Sequence, residues 1–272
     1  MSAELPLRTR NRFVSRAALC LIAALCLAGS ASAQHNAEWD VSVRPYLWFA
    51  AMSGESSLDD ILAEIDLPIH LSSDASQIGA MLRLEAQKRA WLLTLDVSGA
   101  WVESQASLEI PVGGVSGRID YDVFAFLLEV GGGWEIDNRP IRVPWGERPA
   151  RLYADLLVGG RYVRLDQKLG GSRIDSVRAV DNWGEPFVGG RIGFQATPDL
   201  GLTVRGDVGG FGIPGASELT WTLVIEGRWR FWRNVALDLG YKLYDIDHSV
   251  AGDSFALDAR LQGPTVGLDI RY

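Results

Sequence analysis

The sequence predicts an all-β chain, a transmembrane antiparallel up-and-down β-barrel of about ten strands, with eight or twelve also compatible. Three observations lead there. The first is the stretch from Leu219 to Phe231, which alternates Leu219, Trp221, Leu223, Ile225, Gly227, Trp229 and Phe231 with Thr220, Thr222, Val224, Glu226, Arg228 and Arg230. A period of two marks a strand, and at ~3.3 Å per residue the stretch reaches roughly 40 Å, enough for a tilted strand to cross a bilayer. The second is that no apolar run after Ala33 approaches helix-spanning length, while lipid leaves backbone groups paired only in helices and closed barrels. The third is the alternation of short and long links between such stretches, as outer-membrane barrels require.

Residues 1–33 form the expected export signal. Arg8, Arg10, Arg12 and Arg16 precede the apolar run Ala17 to Ala28 and the cleavage pattern Ala31-Ser32-Ala33. The run is shorter than the ~20 residues of a spanning helix. Cys20 and Cys26, the only cysteines, lie inside it, so residues 34–272 form a barrel domain without thiol chemistry, disulfides or a cysteine metal site. Removing the segment takes the net charge from −8 to about −11, which argues against nucleic acid as a partner.

Trp39 to Phe49 reads as the first strand, Pro45 marking a bulge or an exposed edge. In the connection to Gln77, Leu58, Ile61, Leu62 and Ile65 fall at helical spacing behind Ser56-Ser57 and Asp59-Asp60. That spacing suggests a short capped helix, stopped before Pro68, folded over or into the barrel mouth, or else a plain surface loop with a small satellite core. Ile78 to Gln87 and Trp91 to Trp101 follow as a pair joined by Lys88-Arg89-Ala90. After the loop from Ser104 to Arg118 come Tyr121 to Trp134, a long link to Arg148, and Leu152 to Arg164. Asp166 to Asn182 reads as a loop before Phe187 to Ala196 and Gly201 to Val208, which are joined through Thr197-Pro198-Asp199. The strand from Leu219, a turn at Arg233-Asn234, and Val235 to Tyr244 lead to the last strand, Leu257 to Tyr272. Its apolar parity switches between Leu261 and Val266, which a bulge at Gly263-Pro264 would explain.

With the apolar parity turned to lipid, a lumen-facing charge lattice is expected. Its cations are Arg44, Arg83, Arg161, Arg191, Arg205, Arg228, Arg230, Lys242 and Arg260, and its anions Glu85, Asp96, Glu129, Asp155, Asp207, Glu226 and Asp238, with Asp40, Asp258, Asp269 and Arg271 on the same parity. Nearly balanced signs favour an ion-pair lattice over a selective channel, because unpaired buried charge is expensive. Trp39, Trp91, Trp134, Trp229, Phe231 and Tyr272 recur where the apolar faces end, as interfacial aromatics do.

Arg44-Pro-Tyr-Leu-Trp48, Arg205-Gly-Asp-Val-Gly-Gly-Phe-Gly212 followed by Trp221, Gly240-Tyr-Lys-Leu-Tyr244 and Gly263-Pro-Thr-Val-Gly267 carry a resemblance. Through them the chain resembles a family of small, mostly uncharacterised Gram-negative outer-membrane β-barrel proteins of porin-like type. The resemblance covers most of residues 34–272, except the loop from Gly54 to Gln77 and the insertion from Glu135 to Arg148. It implies an outer-membrane location among lipid and lipopolysaccharide, and assembly through a C-terminal strand ending here in Tyr272. It implies no activity.

Three histidines, His35, His70 and His248, are the candidates for catalysis. Asp59-Asp60 with Asp247-His248 could be imagined as a rim site, but the spacing departs from that of omptin proteases. His248 and Ser249 are adjacent on a strand and point to opposite faces, unlike a Ser–His couple. The Arg205-Gly-Asp207 triplet falls on a strand, and the glycine pairs precede no helix, so they read as bends and close-packing positions. The expectation is therefore no enzyme, metal or cofactor, and either an envelope-structural role or passive low-conductance passage of small solutes. The rivals are a hydrolase at the extracellular rim, acting on peptide, lipid A or phospholipid, and an adhesin working through its loops.

Overall fold

The computed structural model describes the backbone of residues 39–58, 61–67, 78–109, 116–144, 148–171, 174–249 and 255–272; the expected signal segment lies outside them. Twelve strands run in chain order: β1 Asp40–Phe49, β2 Ala51–Leu58, β3 Ile61–Leu67, β4 Ile78–Lys88, β5 Trp91–Glu109, β6 Ser116–Ile141, β7 Ala150–Gly171, β8 Ile174–Thr197, β9 Leu200–Gly209, β10 Leu219–Arg230, β11 Val235–Ser249 and β12 Phe255–Arg271. Ten of them, β1 and β4 to β12, pair antiparallel with their neighbours, and β1 closes on β12. The result is a closed ten-strand up-and-down barrel. Both ends of the barrel chain and the links at Arg89, Ile141 to Ala150, Pro198 and Asn234 lie at one end, the periplasmic one by the short-turn rule.

Four local expectations are corrected. Leu58 and Ile61 to Ile65 are strand, not helix: β2 continues along β12 in the same register as β1, and β3 pairs back on β2, while Asp59-Asp60 lie outside the described residues. Backbone pairing to an available strand edge outweighs a weak local helical spacing. The expected loops at 104–118 and 166–182 are largely strand, since β5–β6 and β7–β8 remain paired as far as Glu109–Ser116 and Gly171–Ile174. At ~3.3 Å per residue the 26, 22 and 24 residues of β6, β7 and β8 reach roughly 70–85 Å, so these hairpins project well past a bilayer. Pro45 introduces neither a register shift nor an exposed edge, for β1 pairs continuously with β4 and is closed by β12.

The fourth correction concerns Gly263-Pro264, where β12 holds one register against β11 from Ser249–Ala256 to Val235–Ile270, without a bulge. Odd residues face the lumen throughout. What inverts is chemistry: Leu257 and Ala259 are buried inside while Asp258 and Arg260 are exposed outside, and further down Thr265 and Asp269 are inside while Val266 and Leu268 are outside. Arg260 is therefore not part of the lumen lattice; it pairs with Asp245 at 2.7 Å on the outer surface and lies over Trp221. Gly263 is required for close approach, because a Cβ there would fall 1.8 Å from the Phe49 carbonyl oxygen across the closing seam.

The outward face of each strand carries the apolar band. On β7 it runs Leu152, Leu156, Val158 and Tyr162, then gives way to Arg164, Asp166 and Lys168. Ten residues of tilted strand give about the 25 Å height of a transmembrane barrel's band. At the periplasmic edge Trp39, Trp91, Trp134, Trp229, Phe231 and Tyr272 are all exposed. Trp91 meets Trp134 edge-on at 4.4 Å, and Trp229 lies 6.0 Å from Phe231.

Candidate functional site

The lumen is the candidate site, and it has three layers. In the periplasmic half, Arg44 reaches Glu226 at 2.9 Å, Asp238 at 2.7 Å and Asp269 at 3.3 Å, tying β1 to β10, β11 and β12. Arg83 bonds Asp96 at 2.7 Å, and Tyr46 donates to the same carboxylate at 2.9 Å. Arg191 joins Asp155 at 2.7 Å to Glu85 at 3.0 Å, and Arg228 joins Asp238 at 2.9 Å to Asp269. Arg230 stands at the periplasmic mouth, on the wall of the cavity there. Arg44–Glu226 and Arg191–Glu85 cross the lumen between strands that are not neighbours and so brace the barrel, whereas Arg83–Asp96, Arg191–Asp155 and Arg228–Asp238 tie neighbouring strands together.

Above these pairs lies Arg161, whose side chain is wholly buried. Its Nε donates to Glu129 at 2.8 Å, one terminal nitrogen to Glu185 and Thr220 at 3.0 Å each, and the other to Asp207 at 2.6 Å and Thr222 at 3.1 Å. All five N–H groups are thereby used, the condition under which a buried guanidinium is tolerated. Arg205 adds a second cation, 3.2 Å from both Glu129 and Asp207. The Arg161 guanidinium also lies 5.3 Å from the Phe187 ring, and that ring occupies the space a Cβ on Gly159 would take. Lys242 holds its ammonium 4.9 Å from the Trp48 ring.

The extracellular half of the lumen is apolar. Tyr46, Trp48, Met52, Met81, Val123, Leu127, Val163, Leu165, Trp183, Tyr244, Ile246, Leu257 and Ala259 form one buried cluster across the barrel, resting on Arg161 through Tyr244 at 5.0 Å. At its rim His248, 3% exposed, stacks on Trp183 at 3.9 Å and pairs with Asp181 at 3.1 Å. Ser249 points outward to Glu218. The outer surface at this level is charged: Arg178 forms a fork with Asp166 and holds that carboxyl below its ordinary range. Among the described residues no group of three or more His, Cys, Asp or Glu could hold a metal ion.

Of the expected lattice and the charges on its parity, every residue but Asp258 and Arg260 faces the lumen; those two lie on the outer face of β12. Glu185 and the apolar cluster went unread in the sequence. The missed signal was the odd parity of Trp183, Glu185, Phe187 and Arg191, which carries the strand back into the supposed loop.

No protein-family model matches the chain, and no curated protein matches it in sequence. Solved structures do. The outer-membrane protease OmpT of Escherichia coli is matched at 9% identity and a TM-score of 0.50, over 86% of this chain and 97% of that one. The Neisserial surface protein NspA is matched at 9% identity and a TM-score of 0.36, over 86% and 97%; the transport unit of the E. coli autotransporter AIDA-I at 10% and 0.41, over 88% and 92%. At such identities the likeness concerns the fold alone. Closed barrel, apolar band and aromatic edge define the class: the chain is an integral outer-membrane β-barrel protein, similar in architecture to small barrels of the bacterial outer membrane.

Proposed function

We propose that this is a sealed, non-enzymatic barrel of the cell envelope, whose working surface is the rigid sheet that its β5–β6 and β7–β8 hairpins raise above the membrane. The observation that carries this is the apolar cluster spanning the lumen on top of a fully bonded Arg161. Water and ions crossing that layer would have to separate tryptophan, leucine and methionine side chains, so passive solute passage is the weaker reading. The depth of His248 and the outward turn of Ser249 favour a structural part for the His248–Asp181 pair over a hydrolytic one. Loop-mediated binding is the role that a sealed barrel with long hairpins suits best.

Single-channel recording of refolded residues 34–272 in planar bilayers tests the reading. No steady openings are expected, and deleting residues 56–66 changes nothing, because that hairpin extends the wall beside β12. Replacing Trp48, Trp183 and Leu257 by alanine removes much of the cluster and is expected to give openings. Steady openings in the unaltered protein would replace sealing by porin-like passage.

A further inference from the structure

Beneath the lattice the lumen opens to the periplasmic side as a cavity of about 530 Å³, within the ~300–1,000 Å³ of small-molecule sites. In a chain of net charge −8, its walls carry nine arginines against five carboxylates. Those arginines fall into two sets. The deep ones, such as Arg44, Arg83 and Arg191, are consumed by carboxylates within 3.4 Å. Arg89, Arg151 and Arg230 at the mouth have no carboxylate within 4 Å among the described residues, although Asp40, Glu135 and Asp199 share the rim. Arg89 also holds a left-handed φ of 55° in the β4–β5 turn, a conformation uncommon outside glycine, asparagine and aspartate. The deep arginines each have a carboxylate partner, and among the described residues the three at the mouth do not.

We propose that this vestibule is a binding site for a compact polyanion, which enters from the periplasm and is held by Arg89, Arg151 and Arg230. Guanidinium forks match phosphate and carboxylate oxygens in pairs. The paired arginines behind them keep the floor from repelling an anion, and the apolar cluster above closes the far end, so the ligand binds without passing through.

Tripolyphosphate titrated calorimetrically into the refolded protein in phosphatidylcholine nanodiscs is the test. The unaltered protein is expected to bind with an affinity that falls as salt rises. The combined R89Q, R151Q and R230Q variant should bind about tenfold or more weakly. The corresponding triple lysine variant, which keeps the charge, should retain most of the binding and controls for folding, while Arg164→Gln on the outer extracellular surface should leave affinity unchanged. Repeating the titration in discs doped with phosphatidylglycerol distinguishes the source: competition points to a lipid headgroup, unchanged affinity to a soluble anion, and either keeps the vestibule as the site. Equal binding by the unaltered and glutamine proteins, or none by the unaltered protein at millimolar anion, would overturn the proposal.

Discussion

The two halves of the barrel wall use the same alternation with opposite chemistry. On the periplasmic part of β11, Leu237 and Leu239 face outward and Asp238 and Lys242 inward; a few residues on, Asp245 and Asp247 face outward and Tyr244 and Ile246 inward. β12 and β7 change at the same level, where Arg260 follows Gln262 and Arg164 follows Tyr162 on the outer face. No strand needs to shift register for this, because side-chain direction is fixed by the backbone and only the media on either side exchange. Below the boundary the outside is lipid and the lumen an ion-pair lattice; above it the outside is water and the lumen a mainly apolar core. The parity inversion therefore locates the membrane's outer surface on the sequence.

The largest expected effect comes from breaking the layer that separates the halves. Arg161→Met leaves Glu129, Glu185 and Asp207 buried around an uncharged side chain and should cost ~3–5 kcal/mol in equilibrium unfolding. Neutralising all three acids in the same protein should recover most of that loss. By contrast, Arg178→Ala removes an ion pair on the exposed extracellular extension and should leave the unfolding midpoint where it is. Equal losses at the two sites would mean that Arg161 is solvated and the lumen open.

A second pair of substitutions places the boundary itself. Val188 and Val180 share the outer face of β8, eight residues apart, and both are about half exposed. Val188 lies in the apolar band beside Val158, whereas Val180 pairs with Asp166 on the extension. Val188→Arg should cost ~2–4 kcal/mol, the penalty for arginine at mid-bilayer depth. Val180→Arg should be near neutral, with Asp166 opposite to accept it. Unfolding from lipid vesicles would measure both, and similar costs would move the membrane surface up the strand.

Much of this was legible in the chain. Strand order, the even count and the inward parity of residues from Arg44 to Lys242 follow from alternation, which lipid on one side makes strict. The upper third was not, for two physical reasons. Once the outer face meets water, the strand extensions around Asp166 and Asn182 lose their apolar stripe and look like loops. Leu257, Ala259 and Leu261 keep a clean alternation, but of the opposite sign, which reads as a bulge unless the lumen can itself be apolar. Arg260 was misplaced by that assumption. The partners of Arg161 depend on barrel curvature that brings β6, β8, β9 and β10 around one side chain, and no sequence spacing encodes that.

The smallest effect probes the outer charged surface alone. Asp247 sits directly opposite Asp258 across β11 and β12, and partial burial together with Glu218, Asp258 and Asp245 raises its carboxyl above the ordinary range. A raised folded-state value means that ionised Asp247 destabilises the fold. The cost is absent below the unfolded-state value and fully present once pH exceeds the folded-state one. Like charges opposite each other in a sheet are worth ~0.2–1 kcal/mol, and solvent screening places this pair at the low end. Asp247→Asn should therefore stabilise the protein by a few tenths of a kcal/mol at neutral pH, with the gain fading as pH falls through the carboxylate range. Hydrogen exchange at the β11–β12 hairpin, compared at the two pH values, reads it. A gain that persisted in acid would mean that packing, and not charge, sets the stability of the extracellular extensions.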